Sequence, residues 1–136
     1  MRVSMLLAGC LGFGLLPSSP SFAEDQAVCA DAQTTVEIGE CVGKAYKAAD
    51  AELNAVWTKV MATFASNDYM PADAQKDWKE TLLASQRSWI AFKEEDCKAV
   101  GYEWYGGSGR SNAEVFCLLD HTTARTKDLK ARFLDR

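Results

Sequence analysis

Residues 34–64, TTVEIGECVGKAYKAADAELNAVWTKVMATF, carry the reading that decides the fold. Thr34 and Glu37 stand three apart, the spacing of a capping box, in which each side chain satisfies an orphan backbone N–H at a helix start. Ile38, Val42, Ala45, Ala49, Leu53, Val56, Val60 and Phe64 then recur at steps of three and four. That is one apolar stripe along a long helix. Lys44, Lys47, Asp50, Glu52 and Lys59 fall mostly off the stripe and are expected to face water.

Outward from this segment the pattern stays helical. Ser66-Asn67-Asp68 breaks the first period, and Pro71 suits the first turn of a second helix. Trp78, Leu82, Leu83, Trp89, Ile90 and Phe92 give that helix a broad apolar face, with Gly101 expected to end it near Val100. A loop rich in aromatic residues and glycine follows over residues 102–110. Ser111 and Glu114 repeat the capping-box spacing, and a third helix is expected to turn Val115, Leu118, Leu119, Thr122, Leu129 and Phe133 inward. No segment shows sustained strand alternation. The expected fold is all-α: a small antiparallel three-helix bundle stapled by two disulfides.

The staples follow from the cysteines. The first residues read as an export signal: Arg2, an uncharged apolar run from Val3 to Leu16, and the small-x-small triplet Ser21-Phe22-Ala23. The run is too short to span a bilayer. Cleavage after Ala23 divides the chain into a signal peptide (1–23) and a single domain (24–136), and places the product in the bacterial periplasm or outside the cell. Leu7-Ala8-Gly9-Cys10 also matches the pattern before a lipid-modified cysteine, but the apolar core ahead of it, Met5 to Leu7, is too short for efficient export, so an anchor at Cys10 is not favoured. Of five cysteines, Cys29, Cys41, Cys97 and Cys117 then remain, an even set in an oxidising compartment.

Four cysteines allow three connectivities. If the second helix returns along the first, all four sulfurs gather at one end of the bundle. Twelve residues of straight helix would hold Cys29 and Cys41 about 18 Å apart, so they pair only if Cys29 lies before the cap. Cys29–Cys41 with Cys97–Cys117 is the expected pairing, the second bridge closing the aromatic loop. The spacings lack C-x-x-C hooks, so no metal is expected, and no glycine-rich phosphate loop or other feature specifies a cofactor.

The composition narrows function further. The net charge is −4, and the signal carries only one charged residue, so the mature domain is acidic. Such a domain repels nucleic-acid phosphates and anionic lipid and is drawn to cationic partners. His121 is the sole histidine and has no triad spacing around it. Glu94, Glu95 and Asp96 are consecutive on a helix and fan around its axis, so they suit a solvated face paired with Arg87 or Lys98 better than a catalytic pair. No catalytic residue is assigned, and the chain is not expected to be an enzyme. Two surfaces stand out instead. Gln86, Trp89 and Lys93 share a helix face, which together with Arg125 reads as a polar packing or binding face. The loop holding Tyr102, Trp104, Tyr105, Gly106, Gly107, Ser108 and Arg110 combines rigid aromatic area with close backbone approach, and is the candidate partner-binding surface.

Three blocks in order carry a family resemblance: CADAQTTVEIGECVGKAYKAADAELNAVW (29–57), LLASQRSWIAFKEEDC (82–97), and Gly106-Gly107-Ser108 followed by CLLDHTTART (117–126). The chain resembles the LprI-type lysozyme inhibitor family over roughly Cys29 to Leu134. It departs at Trp57, Lys93, Glu94 and His121, and at Gly109-Arg110, where an aromatic-proline continuation is common. The resemblance implies a helical exported domain and, in at least one branch, inhibition of lysozyme. The expected function is therefore binding to lysozyme, a basic protein, and occlusion of its cleft. A periplasmic interaction or scaffolding module with another target is the second reading.

Overall fold

The computed structural model describes residues 28–66 and 69–135. The signal segment with its cut after Ala23, and Cys10, lie outside the described residues. Among the described residues three long helices make up the fold: α1 (Thr35–Thr63), α2 (Ala72–Glu103) and α3 (Arg110–Phe133), with a short 3-10 turn, Phe64–Ser66, closing α1. No described helix is long and apolar enough to cross a membrane.

The start of α1 is the expected capping box. Thr34 Oγ1 accepts from the Glu37 N–H, and the Glu37 carboxylate accepts from the N–H groups of Thr34 and Gln33. These backbone donors, Gln33 first, hold the Glu37 carboxyl below its usual range. Val42, Leu53, Val56, Val60 and Phe64 are buried along the predicted stripe. Gln75 Nε2 donates to the Phe64 carbonyl and ties the far end of α1 to the beginning of α2. Pro71 sits just outside α2, as its N-cap residue.

α3 is the central element. It runs parallel to α1, as Asn112 Nδ2 donating to the Thr35 carbonyl near one end and the Lys130–Glu52 ion pair further along establish. It runs antiparallel to α2, as the Cys97–Cys117 bridge at one end and the Trp78–Phe133 ring contact at the other require. α1 and α2 each pack chiefly on α3, and approach one another closely at few points. At Gly39 a Cβ would come within 2.9 Å of Asn112 Oδ1, so a larger residue there would have to displace the Asn112 side chain that bonds to Thr35.

The core has two apolar halves. Leu53, Val56, Val60, Phe64, Leu82 and Leu129 form one, flanked by Trp57, Met61, Trp78, Trp89 and Phe133. Cys29, Val42 and Leu119 form the other, flanked by Tyr46, Val115 and Phe116. Buried Lys93, Thr122 and Thr126 lie between them in the helical order. Both disulfides have the expected pairing, Cys29–Cys41 and Cys97–Cys117, with Cα–Cα distances of 5.9 and 5.4 Å. They stand at the end where α1 begins, α2 ends and α3 begins.

Three local expectations are corrected. Gly101 does not end α2. The helix continues to Glu103, and Gly101 is buried because Glu114 and Arg110 of α3 close over it. Ser111 and Glu114 form no capping box: α3 starts earlier, with Gly109 at the cap and the Ala113 N–H bonded to the Gly109 carbonyl. Ile90 and Phe92 are exposed rather than inward, because the stripe that α2 buries runs through Leu82, Lys93, Cys97 and Gly101.

Candidate functional site

The aromatic loop is short, and its backbone is folded into successive tight turns. The Trp104 N–H bonds to the Gly101 carbonyl, Tyr105 to Tyr102, and Gly107 to Trp104. Gly106 has φ +81°, a left-handed conformation that glycine adopts without strain and other residues rarely do. The Trp104 ring lies across Gly109, where a Cβ would sit 3.6 Å from it. The Cys97–Cys117 bridge joins the last turns of α2 to the first turns of α3 beneath these turns. The loop is therefore anchored from both sides.

Its side chains nevertheless point outward. Tyr102, Trp104 and Tyr105 are 61%, 55% and 80% exposed, and Val36 at the start of α1 is exposed at the same end of the bundle. Gly106, Gly107 and Ser108 are exposed between them. Arg110 is half-buried, and its guanidinium lies 4.4 Å from the centroid of the Tyr102 ring. Stacking on an aromatic face limits the rotamers of Arg110 while leaving its in-plane donors usable. Of the loop residues predicted from the sequence, Arg110 meets Tyr102 and Trp104 meets Gly109, while Tyr105, Gly106, Gly107 and Ser108 are exposed on the same short loop, an aromatic surface with one oriented cation.

The polar face assembles differently. Gln86 Oε1 accepts from Arg125 Nε at 3.0 Å, so those two expected partners do meet. Trp89 stands between two cations, with Lys93 Nζ 5.0 Å and the Arg125 guanidinium 5.8 Å from its ring centroid. Lys93 is only 5% exposed; its ammonium donates to Tyr46 Oη at 3.3 Å. Burial pushes the Arg125 guanidinium down from its ordinary value, and Asp128, paired to it at 3.1 Å, opposes that. Arg125 Nη2 and Thr122 Oγ1 are buried without a hydrogen-bond partner among the described residues. Lys93 is buried, while Gln86, Trp89 and Arg125 are half-buried around it. The set ties α1, α2 and α3 together at the layer between the two apolar halves.

Sequence reasoning missed Tyr46, Asp128 and Thr126 in this layer. The i,i+3 spacing from Arg125 to Asp128 was a usable signal; nothing local to α1 marks Tyr46 as the partner of a lysine 47 residues away. The acidic run on α2 also divides in a way that spacing did not suggest. Glu95 pairs locally with Lys98 at 2.7 Å and raises the Lys98 ammonium above its usual range. Asp96 instead reaches across to α3, its Oδ2 2.8 Å from His121 Nε2. His121 is half-buried against the edge of Phe92, with ring centroids 5.5 Å apart, and so is not a loose surface histidine.

Comparisons with known proteins find one family and a relative. The family model described as "Lysozyme inhibitor LprI" matches residues 27–129, which include all three helices and both disulfides up to Leu129 of α3. An uncharacterized protein of Rhizobium meliloti is 31% identical over 127 residues, covering 90% of this chain and 91% of that protein. No solved structure matches the chain significantly. On the extent of the family match, the chain belongs to the LprI lysozyme inhibitor family.

Proposed function

We propose that this chain is an exported inhibitor of lysozyme that acts by occupying the enzyme's cleft and performs no chemistry of its own. The observation that carries the reading is the cap of Tyr102, Trp104 and Tyr105, exposed on a loop whose backbone is fixed by turns and a disulfide. Exposed large aromatics usually carry an ordering cost when they bind, and a loop already ordered avoids most of it. Membership of the family supports lysozyme as the partner.

Lysozyme catalysis needs two carboxylates across a cleft that admits a sugar chain. The acidic domain, with a net charge of −4 over the full sequence, would be steered to a basic enzyme at long range. The aromatic cap would then enter the cleft, and Arg110, already stacked on Tyr102, would present paired N–H donors to a carboxylate. The remaining sugar-binding length would be blocked by the end of the bundle.

The test is a cell-wall lysis assay with the purified exported protein and two variants. Inhibition at micromolar concentration is expected. Arg110→Ala and Trp104→Ala should each raise the inhibition constant about tenfold or more with helicity unchanged, as central interface anchors do. An inhibition constant that neither substitution moves would remove the loop from the mechanism. No inhibition of any lysozyme class would remove the target and leave an envelope interaction module, whose partner a pull-down from envelope extract would reveal.

A further inference from the structure

The Cys97–Cys117 bridge does more than tie α2 to α3, because it lies beside the chain's one histidine. Cys117 and His121 are four apart on α3, one turn above each other on the same face. Cys97 meets them from α2. Donor atoms of Cys97, Cys117 and His121 all lie within 4.8 Å of one another. The linear spacing hid this set, since the hook is not C-x-x-C but Cys117-x-x-x-His121, completed from another helix. We propose that this corner is a redox-gated zinc site: the disulfide staples it when oxidised, and the two thiols with His121 hold one Zn2+ when reduced.

The chemistry balances in two steps. A dithiol gives two electrons and two protons to the Cys97–Cys117 bond, which breaks into two thiols as the dithiol closes into its own disulfide; a phosphine does the same with one water, which supplies both protons and leaves its oxygen on phosphorus. Zn2+ then binds both sulfurs, and two protons leave. A tetrahedral site with zinc–sulfur bonds of about 2.3 Å separates its two sulfurs by about 3.8 Å. With their Cα atoms 5.4 Å apart, the two side chains would reach that separation by rotating about their Cα–Cβ bonds. Sulfur and imidazole donors favour zinc over calcium or magnesium, which prefer oxygen.

Two further features fit a metal. Asp96 Oδ2 stands 2.8 Å from His121 Nε2, which leaves Nδ1 of the ring for the ion. A carboxylate on the second nitrogen is the usual means by which a metal-bound histidine is oriented. The corner opens to solvent on the α3 side: the His121 and Asp96 side chains are 27% and 43% exposed and Cys117 is half-buried, while Cys97 is fully buried behind them. A water entering from the His121 side would complete the fourth position. An ordinary ion pair between helices would explain Asp96 and His121 alone; it does not explain why His121 also stands beside the sulfurs of Cys97 and Cys117. The inference goes beyond lysozyme binding, and its test is independent of that reading.

The experiment titrates Co2+, then Zn2+, into the purified protein before and after phosphine reduction under nitrogen. The reduced form should bind one Co2+, with thiolate-to-cobalt charge transfer and the intense visible bands of tetrahedral cobalt, bleached by zinc. The oxidised form should give neither. A Cys29→Ser/Cys41→Ser variant, which removes the other pair of thiols, should keep the spectrum. His121→Ala should lose the tetrahedral bands, and Asp96→Asn should weaken zinc binding about 10–100-fold, the usual loss for such an outer partner. Circular dichroism of the oxidised His121→Ala protein checks that it folds. Absence of cobalt bands in the reduced protein overturns the proposal. So does a His121→Ala spectrum like the parent's, or a reduced chain that loses helicity and does not regain it with zinc.

Discussion

Replacing Cys97 and Cys117 together by alanine frees a loop whose ends are 20 residues apart in sequence. By the chain-entropy relation, a crosslink of that span stabilises the folded state by about 3.3 kcal/mol at 25 °C. For roughly 110 folded residues the unfolding entropy near the midpoint is about 0.23 kcal/mol per kelvin, so the midpoint should fall by about 14 °C. Cys97 is fully buried, and the small space left by its sulfur adds to the loss. The turns through Trp104 and Gly107, and the ring of Trp104 on Gly109, survive the substitution. Thermal melts followed by far-ultraviolet circular dichroism, without reductant, measure the shift. A fall of less than about 4 °C, with helix content kept, would refute the reasoning: the loop would then be ordered by its turns alone, and the bridge would not be restraining the unfolded chain.

Three other perturbations probe different links. Thr34→Ala removes the side-chain cap of α1 and should cost about 1 kcal/mol, about 4 °C in the midpoint, measured in the same melts. Tyr46→Phe strips the buried Lys93 ammonium of its acceptor and should cost about 1–3 kcal/mol in urea unfolding, most of which Lys93→Met added to it should restore. Glu37 has a folded-state pKa below its ordinary 4.5, so its contribution to stability is present above pH 4.5 and is lost as the pH falls through the lowered value. Urea unfolding at pH 7 and pH 3 should therefore show a smaller loss in Glu37→Gln than in the parent.

The fold was legible where one residue type answers to one environment. The α1 stripe and the Thr34–Glu37 box were readable because apolar period and cap chemistry are local. α2 was readable as a helix but not in its orientation. Its buried face runs through Gln86 and Lys93, which hydropathy counts as polar, and leaves Ile90 and Phe92 to solvent, which hydropathy counts as core. Only the tertiary partners, Arg125 for Gln86 and Tyr46 for Lys93, account for that. The end of α2 was misplaced because a glycine accommodating a close neighbour, Gly101 under Glu114, looks in sequence like a glycine that stops a helix. The aromatic loop was legible as a surface from composition alone. The corner of Asp96, Cys97, Cys117 and His121 was not, because two helices supply it and neither carries a complete motif.

The measurement that bears most directly on the account is a calorimetric titration of lysozyme into the oxidised protein. A 1:1 complex with a dissociation constant of about micromolar or tighter is predicted, weakened about tenfold or more when Trp104 and Tyr105 are both changed to alanine. The absence of any complex at concentrations well above micromolar, across the lysozyme classes tried, would contradict it, as would a complex that forms equally well without the two rings.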